Sequence, residues 1–169
     1  MPRSFLLATL ALLWFEGTAS AQYPGWKHSA SLYILTTPEG ANLPATASEA
    51  NFPLLVRLNK EFFNFSEAQA TGADLRFSEG GQPLVYQIDT WDATNGTACV
   101  WVKIPQIKGN ACQEIKVHWG KSDAASESSV PAVFNPANGY VSVFHMNEPV
   151  LDDLGTVVMK DVAPSPWRA

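Results

Sequence analysis

Three consecutive stretches, PLVYQIDTW (83–91), TACVWVKI (97–104) and CQEIKVHWG (112–120), alternate apolar and polar side chains with a period of two. That period belongs to a strand, which turns successive side chains to opposite faces. It places Leu84, Tyr86 and Ile88 on one apolar face, continued by Val100, Val102 and Ile104 and then by Ile115, Val117 and Trp119. Gln87, Asp89, Trp91, Trp101, Lys103, Lys116 and His118 fall on the other. Earlier runs behave alike. WKHSASLYI (26–34) sets Trp26, His28, Ala30, Leu32 and Ile34 on one face, and FPLLVRL (52–58) and DLRFS (74–78) add two more strands. Turn formers such as EGGQ (79–82) and DATNG (92–96) separate the runs, and helical periodicity is nearly absent beyond the first 21 residues. The pattern predicts an all-β antiparallel sandwich, jelly-roll or immunoglobulin-like, with about six to eight strands joined by hairpins.

The N-terminus speaks to compartment. Arg3, the apolar run FLLATLALLWF (5–15) and Ala19-Ser20-Ala21 form the pattern of a cleaved signal peptide over residues 1–21. The apolar run is shorter than the ~20 residues a bilayer span needs, although a buried N-terminal helix or a membrane anchor is the rival reading. A chain starting at Gln22 keeps enough residues for one domain and the same net charge of −5. With no basic stripe, nucleic acid is excluded as a partner, because such binding runs on phosphate neutralisation. No later run is apolar enough to be transmembrane.

Cys99 and Cys112 are the only two cysteines. In an exported chain an even pair reads as a disulfide. If Ile104–Ile107 is a tight turn with Pro105 in its second position, Cys99 faces Cys112 across the hairpin. A bridge there would close a loop of about 14 residues, worth roughly 3 kcal/mol in a chain-entropy account. A free pair is the alternative; neither cysteine has zinc-ligand spacing to a histidine.

Chemistry-bearing residues are sparse. VFHMNEP (143–149) presents His145 and Glu148, with Asp152 and Asp153 beyond, but residues three apart on a strand point to opposite faces. The other histidines, His28 and His118, show no metal-ligand spacing, and no nucleophile elbow, phosphate loop or dinucleotide fingerprint occurs. Among Asp89, Asp92, Asp152 and Asp153 nothing singles out a catalytic pair. The expectation is a non-enzymatic chain with no catalytic, metal-binding or cofactor-binding residues, a hydrolase built on His145 being the distant rival. Trp91 and Trp101, with Gln87, Asp89 and His118, suit a sugar-binding platform of flat rings beside hydrogen-bonding groups. The competing reading buries both tryptophans under the second sheet or a downstream module. Asn64-Phe65-Ser66 and Asn95-Gly96-Thr97 fit the glycosylation sequon by chance, the second marking a hairpin turn.

Trp26, FPLLVRL, GADLRF, GQPLVYQIDTW, VWVKIPQI and VHWG follow one another as in a bacterial exported domain of unknown function (family 2341), which the chain resembles from residue 26 to about 146. That family also occurs in proteins of the MotA/TolQ/ExbB proton-channel group and in proteins with a downstream concanavalin-A-like (laminin-G-type) module. The tail, VFHMNEPVLDDLGTVVMKDVAPS, resembles the opening of such a module, with Glu148, Gly155, Asp161 and Ala163 at its expected places. The resemblance implies an accessory module that binds glycan or an envelope protein beside a lectin-like domain, or a structural spacer in an ExbB/TolQ-type assembly. The expected organisation is a signal peptide (1–21), a sandwich domain (22–120), a linker or peripheral segment (121–139), and the start of a truncated lectin-like domain or a last strand (140–169).

Overall fold

The structure, a computed structural model, describes residues 22–140, Val143 and the backbone of two short strands at 149–151 and 157–159. The expected signal peptide, and His145, Glu148, Asp152 and Asp153, lie outside the described residues.

Seven strands precede residue 120: β1 (His28–Leu35), β2 (Ser48–Asn59), β3 (Arg76–Glu79), β4 (Gln82–Leu84), β5 (Tyr86–Asp92), β6 (Thr97–Lys108) and β7 (Cys112–Trp119). They form two antiparallel sheets, the first ordered β1-β7-β3-β4 and the second β2-β6-β5. The expected sandwich is therefore present. A short pair, β8 (Pro149–Leu151) and β9 (Val157–Met159), follows.

Two features depart from the simple hairpin series. PLVYQIDTW is one alternating run but two strands: Gln82–Leu84 pairs with β3, Tyr86–Asp92 pairs with β6, and exposed Val85 turns the corner between sheets. Nor does β6 turn at Pro105. It runs on to Lys108 beside β2, and Pro105, with no N–H to give, stands opposite Asn51, whose φ is +54°. The turn comes at Gly109–Ala111, with Asn110 at φ +48°. It is tied by Thr36, whose hydroxyl donates to Lys108 O at 2.6 Å and accepts from Ala111 N–H at 2.9 Å. The chain then enters the other sheet, so β7 pairs with β1 and β3 and not with β6.

That crossing overturns the disulfide. Cys99 pairs with Arg57 and Thr90 in the second sheet, whereas Cys112 opens β7 opposite Leu35 in the first. Lys108 lies nine residue steps along the strand from Cys99, about 30 Å at the usual rise. A disulfide needs Cα atoms within about 7 Å. Both cysteines are free thiols.

The expected apolar face survives as two layers facing each other. Val100, Val102 and Ile104 from β6 and Ile115 and Val117 from β7 are fully buried with Leu75, Phe77 and Tyr86. Tyr86 pays for its buried hydroxyl by donating to Leu75 O at 2.6 Å.

Residues 121–140 lie against the sandwich. Ser129 N–H donates to Tyr86 O at 2.9 Å and Ser128 Oγ accepts from Ile88 N–H at 2.8 Å, so this strap occupies the open edge of β5. A helical turn, α1 (Val130–Val133), then lays Val133 and Phe134 over the outer face of the second sheet, where Phe134 meets Trp101 edge-on at 5.6 Å. Arg76, 3% exposed, secures the strap by donating to Ala125 O at 2.7 Å and pairing with Glu127 at 3.0 Å.

Candidate ligand-binding site

The outer face of the first sheet carries a recess. In β3 and β7 the register sets Arg76 beside His118 and Ser78 beside Lys116. Side chains diagonal to one another on one face can meet, and Ser78 Oγ lies 2.9 Å from His118 Nε2. Residues 22–27 cross above them. Gly25, at φ +97°, allows the chain to turn so that Tyr23 and Trp26 rings approach to 5.1 Å. Tyr23 also packs on the His118 ring at 4.9 Å. Trp26 is pinned by its indole N–H, which donates to Asp74 O at 2.7 Å, and by two cations, Arg76 and Lys121, each 5.3 Å from its ring centre.

Asp74 is the buried anchor under this segment. Its carboxylate accepts from the backbone N–H groups of Gln69, Gly120 and Lys121 at 2.9, 2.7 and 3.2 Å. Loop 61–72 and the β7 exit are thereby fixed together, as three donors satisfy a buried charge.

Between the N-terminal segment and the Gly80–Gly81 turn lies a cleft of about 490 Å³, walled by Tyr23, Trp26, Lys27, Ser78, Lys116 and His118. Burial, reinforced by the Lys116 charge, lowers the His118 pKa from its ordinary 6.5. Burial, then the Glu127 charge, raises that of Tyr23, against Arg76. At neutral pH the cleft thus offers a neutral imidazole, a phenol and a serine hydroxyl. A Ser–His contact is two members of a hydrolytic triad. Here Ser78 is 4% exposed in mid-sheet, and the His118 ring is covered by Tyr23.

The platform expected from alternation is split among three places. A β-bulge shifts the β5–β6 register between Ile88 and Thr90, at Asp89. Before it Gln87 lies beside Trp101; after it Trp91 lies beside buried Ala98. One extra residue reverses the alternation, and Trp91 enters the core against Phe63 and Phe65 at 6.0 and 5.0 Å. Gly72 lies so close that a Cβ there would sit 2.7 Å from the Trp91 ring. Gln87 is 3% exposed and Trp101 half-buried beneath the strap. His118 belongs to the other sheet, on the opposite side of the sandwich. Both tryptophans are half-buried, Trp91 against the core and Trp101 beneath the strap, so they do not share one exposed face.

Sequence reasoning passed over Tyr23, Lys27, Ser78 and Lys116. The available signal was the aromatic pair Tyr23 and Trp26 immediately before a first strand that opens with His28. His28 itself stacks on Trp119 at 5.4 Å and pairs with Glu67 at 3.7 Å.

A second depression, of about 450 Å³, lies at the end of the sandwich between residues 60–66 and the β5–β6 hairpin. Asn64 in its lining is engaged locally, its Oδ1 accepting from Ser66 N–H and its hydroxyl, and Asn95 of the adjoining hairpin binds Asp92. Asn95 does occupy the expected hairpin turn, closed by Gly96 N–H to Asp92 O at 2.9 Å. Among the described residues no three His, Cys, Asp or Glu side chains gather as a metal site, and no helix is long and apolar enough to cross a membrane.

No curated protein and no solved structure matches the chain significantly. Residues 71–142 match the family model described as a domain of unknown function (DUF2341). The matched part spans β3 to β7 and the strap, including Ser78, Lys116 and His118, and leaves out the N-terminal wall of the cleft. Over that span the chain is similar to that domain.

Proposed function

We propose that this chain is an exported, non-catalytic β-sandwich module that binds glycan, serving as an accessory part of a larger envelope or secreted protein. One observation carries the reading: the cleft on the first sheet joins aromatic rings (Tyr23, Trp26) to neutral hydrogen-bonding groups (Ser78, His118) within about 490 Å³. Sugars present apolar ring faces and hydroxyls in alternation, and such a mixed lining complements both. The signal-like N-terminus supports export, and the laminin-G-like tail supports a lectin-like neighbour.

A glycan array probed with the full chain from Gln22 tests this. Binding to a defined saccharide, abolished in Tyr23→Ala and His118→Ala while Trp91→Phe binds normally, is the expected result. No saccharide bound, with circular dichroism showing a folded chain, would overturn it.

A further inference from the structure

We propose that the ligand of this cleft is an acidic saccharide, its carboxylate held by Lys116 and Lys27. The inference rests on the glycan-binding reading and adds the charge of the ligand. The cleft's surroundings contain four cations, and they divide into two kinds. Arg76 and Lys121, which flank the Trp26 ring, are each neutralised: Arg76 by Glu127 at 3.0 Å and Lys121 by Asp123 at 3.0 Å. Lys27 and Lys116, which line the cleft itself, have no carboxylate within ion-pair distance among the described residues. The one carboxylate in the lining, Glu114, lies two residues from Lys116 on the same face of β7, yet accepts from the Ser31 hydroxyl at 2.5 Å.

The chain as a whole is acidic, with a net charge of −5 and acids outnumbering bases sixteen to eleven. Two ammonium groups against the single Glu114 carboxylate leave the lining with a net positive charge on an acidic molecule, which favours an anion there. A bound carboxylate would supply the missing partner in a partly enclosed site, where a charge-assisted hydrogen bond is stronger than at an open surface. The aromatic wall meanwhile fits the sugar ring bearing that acid. A uronic-acid unit carries both features.

The test is calorimetric titration of the full chain from Gln22 with an oligo-uronate and with the same oligosaccharide after carboxyl reduction, which preserves the rings and removes the charge. Expected are binding of the uronate, loss of about tenfold or more in affinity on carboxyl reduction, and a similar loss in Lys116→Ala. Lys27→Ala should weaken binding less. Lys103→Ala, on the outer face of the other sheet, should leave affinity unchanged. Thermal melting checks that each lysine variant stays folded. Equal binding of native and carboxyl-reduced oligosaccharides would overturn the acidic class while leaving the glycan-binding reading intact. So would selective binding of neutral glycans on the array. Absence of binding to every saccharide would overturn both.

Discussion

The two outer faces of the sandwich are finished differently. The second sheet is sealed by the strap, which sets Val133 and Phe134 on Trp101 and occupies the β5 edge with Ser128 and Ser129. The first sheet is crossed by residues 22–27, which leave a cleft with polar groups on its floor. One cover is apolar; the other is aromatic at its margin and lies over a polar floor. Dry packing adds stability, whereas a half-covered polar surface adds little and is free to bind.

Phe134→Ala tests the sealed face most severely. Removing a nearly fully buried aromatic should cost about 3 kcal/mol or more and red-shift tryptophan emission as Trp101 meets water. A loss below ~1 kcal/mol in chemical denaturation would mean that the strap is not part of the cooperative fold. Breaking the strap's ionic clasp should matter far less from its exposed side. Glu127 is 64% exposed, so Glu127→Gln should cost under ~1 kcal/mol. Arg76→Ala strips donors from Tyr86, Leu75 and Ala125 and should cost about 2–4 kcal/mol.

The open face should respond to pH. His118 has its folded pKa below the ordinary 6.5, so the unfolded chain binds the proton more readily. The stability this contributes is present above the ordinary value and is lost as pH falls through it toward the folded pKa. Lys116 and Arg76 would face the imidazolium, with Glu114 the nearby acid in the cleft. His118→Asn should therefore flatten the part of the melting-temperature profile between about pH 7 and 5.5; an unchanged slope would assign the acid sensitivity elsewhere. The smallest effect is that of reductant. With Cys99 and Cys112 on different sheets, dithiothreitol should leave the melting temperature unchanged, and exposed Cys112 should alkylate faster than half-buried Cys99.

Much of the fold was legible because alternation is a local property. Each apolar residue expected inside, from Leu84 to Trp119, packs in the core. The strap was visible only as a run low in apolar content, GKSDAASESSVP, whose hold on β5 comes from backbone and serine groups that leave no hydrophobic pattern. Trp91 left the expected ligand platform through a single residue. A bulge at Asp89 leaves no mark in a hydrophobicity pattern, yet it sends Trp91 inward and separates it from Gln87.

The sequence by itself determined strand periodicity, the composition of the inner faces and the acidic net charge, since these depend on side-chain order and type. Tertiary structure alone decided which strands share a sheet. Val85 and the Gly109–Ala111 turn carry the chain from one layer to the other, and strand partners are chosen by packing between distant segments. That choice parts the cysteines and brings Ser78 and His118 together, because contacts across a sandwich follow the fold's topology and not proximity along the chain.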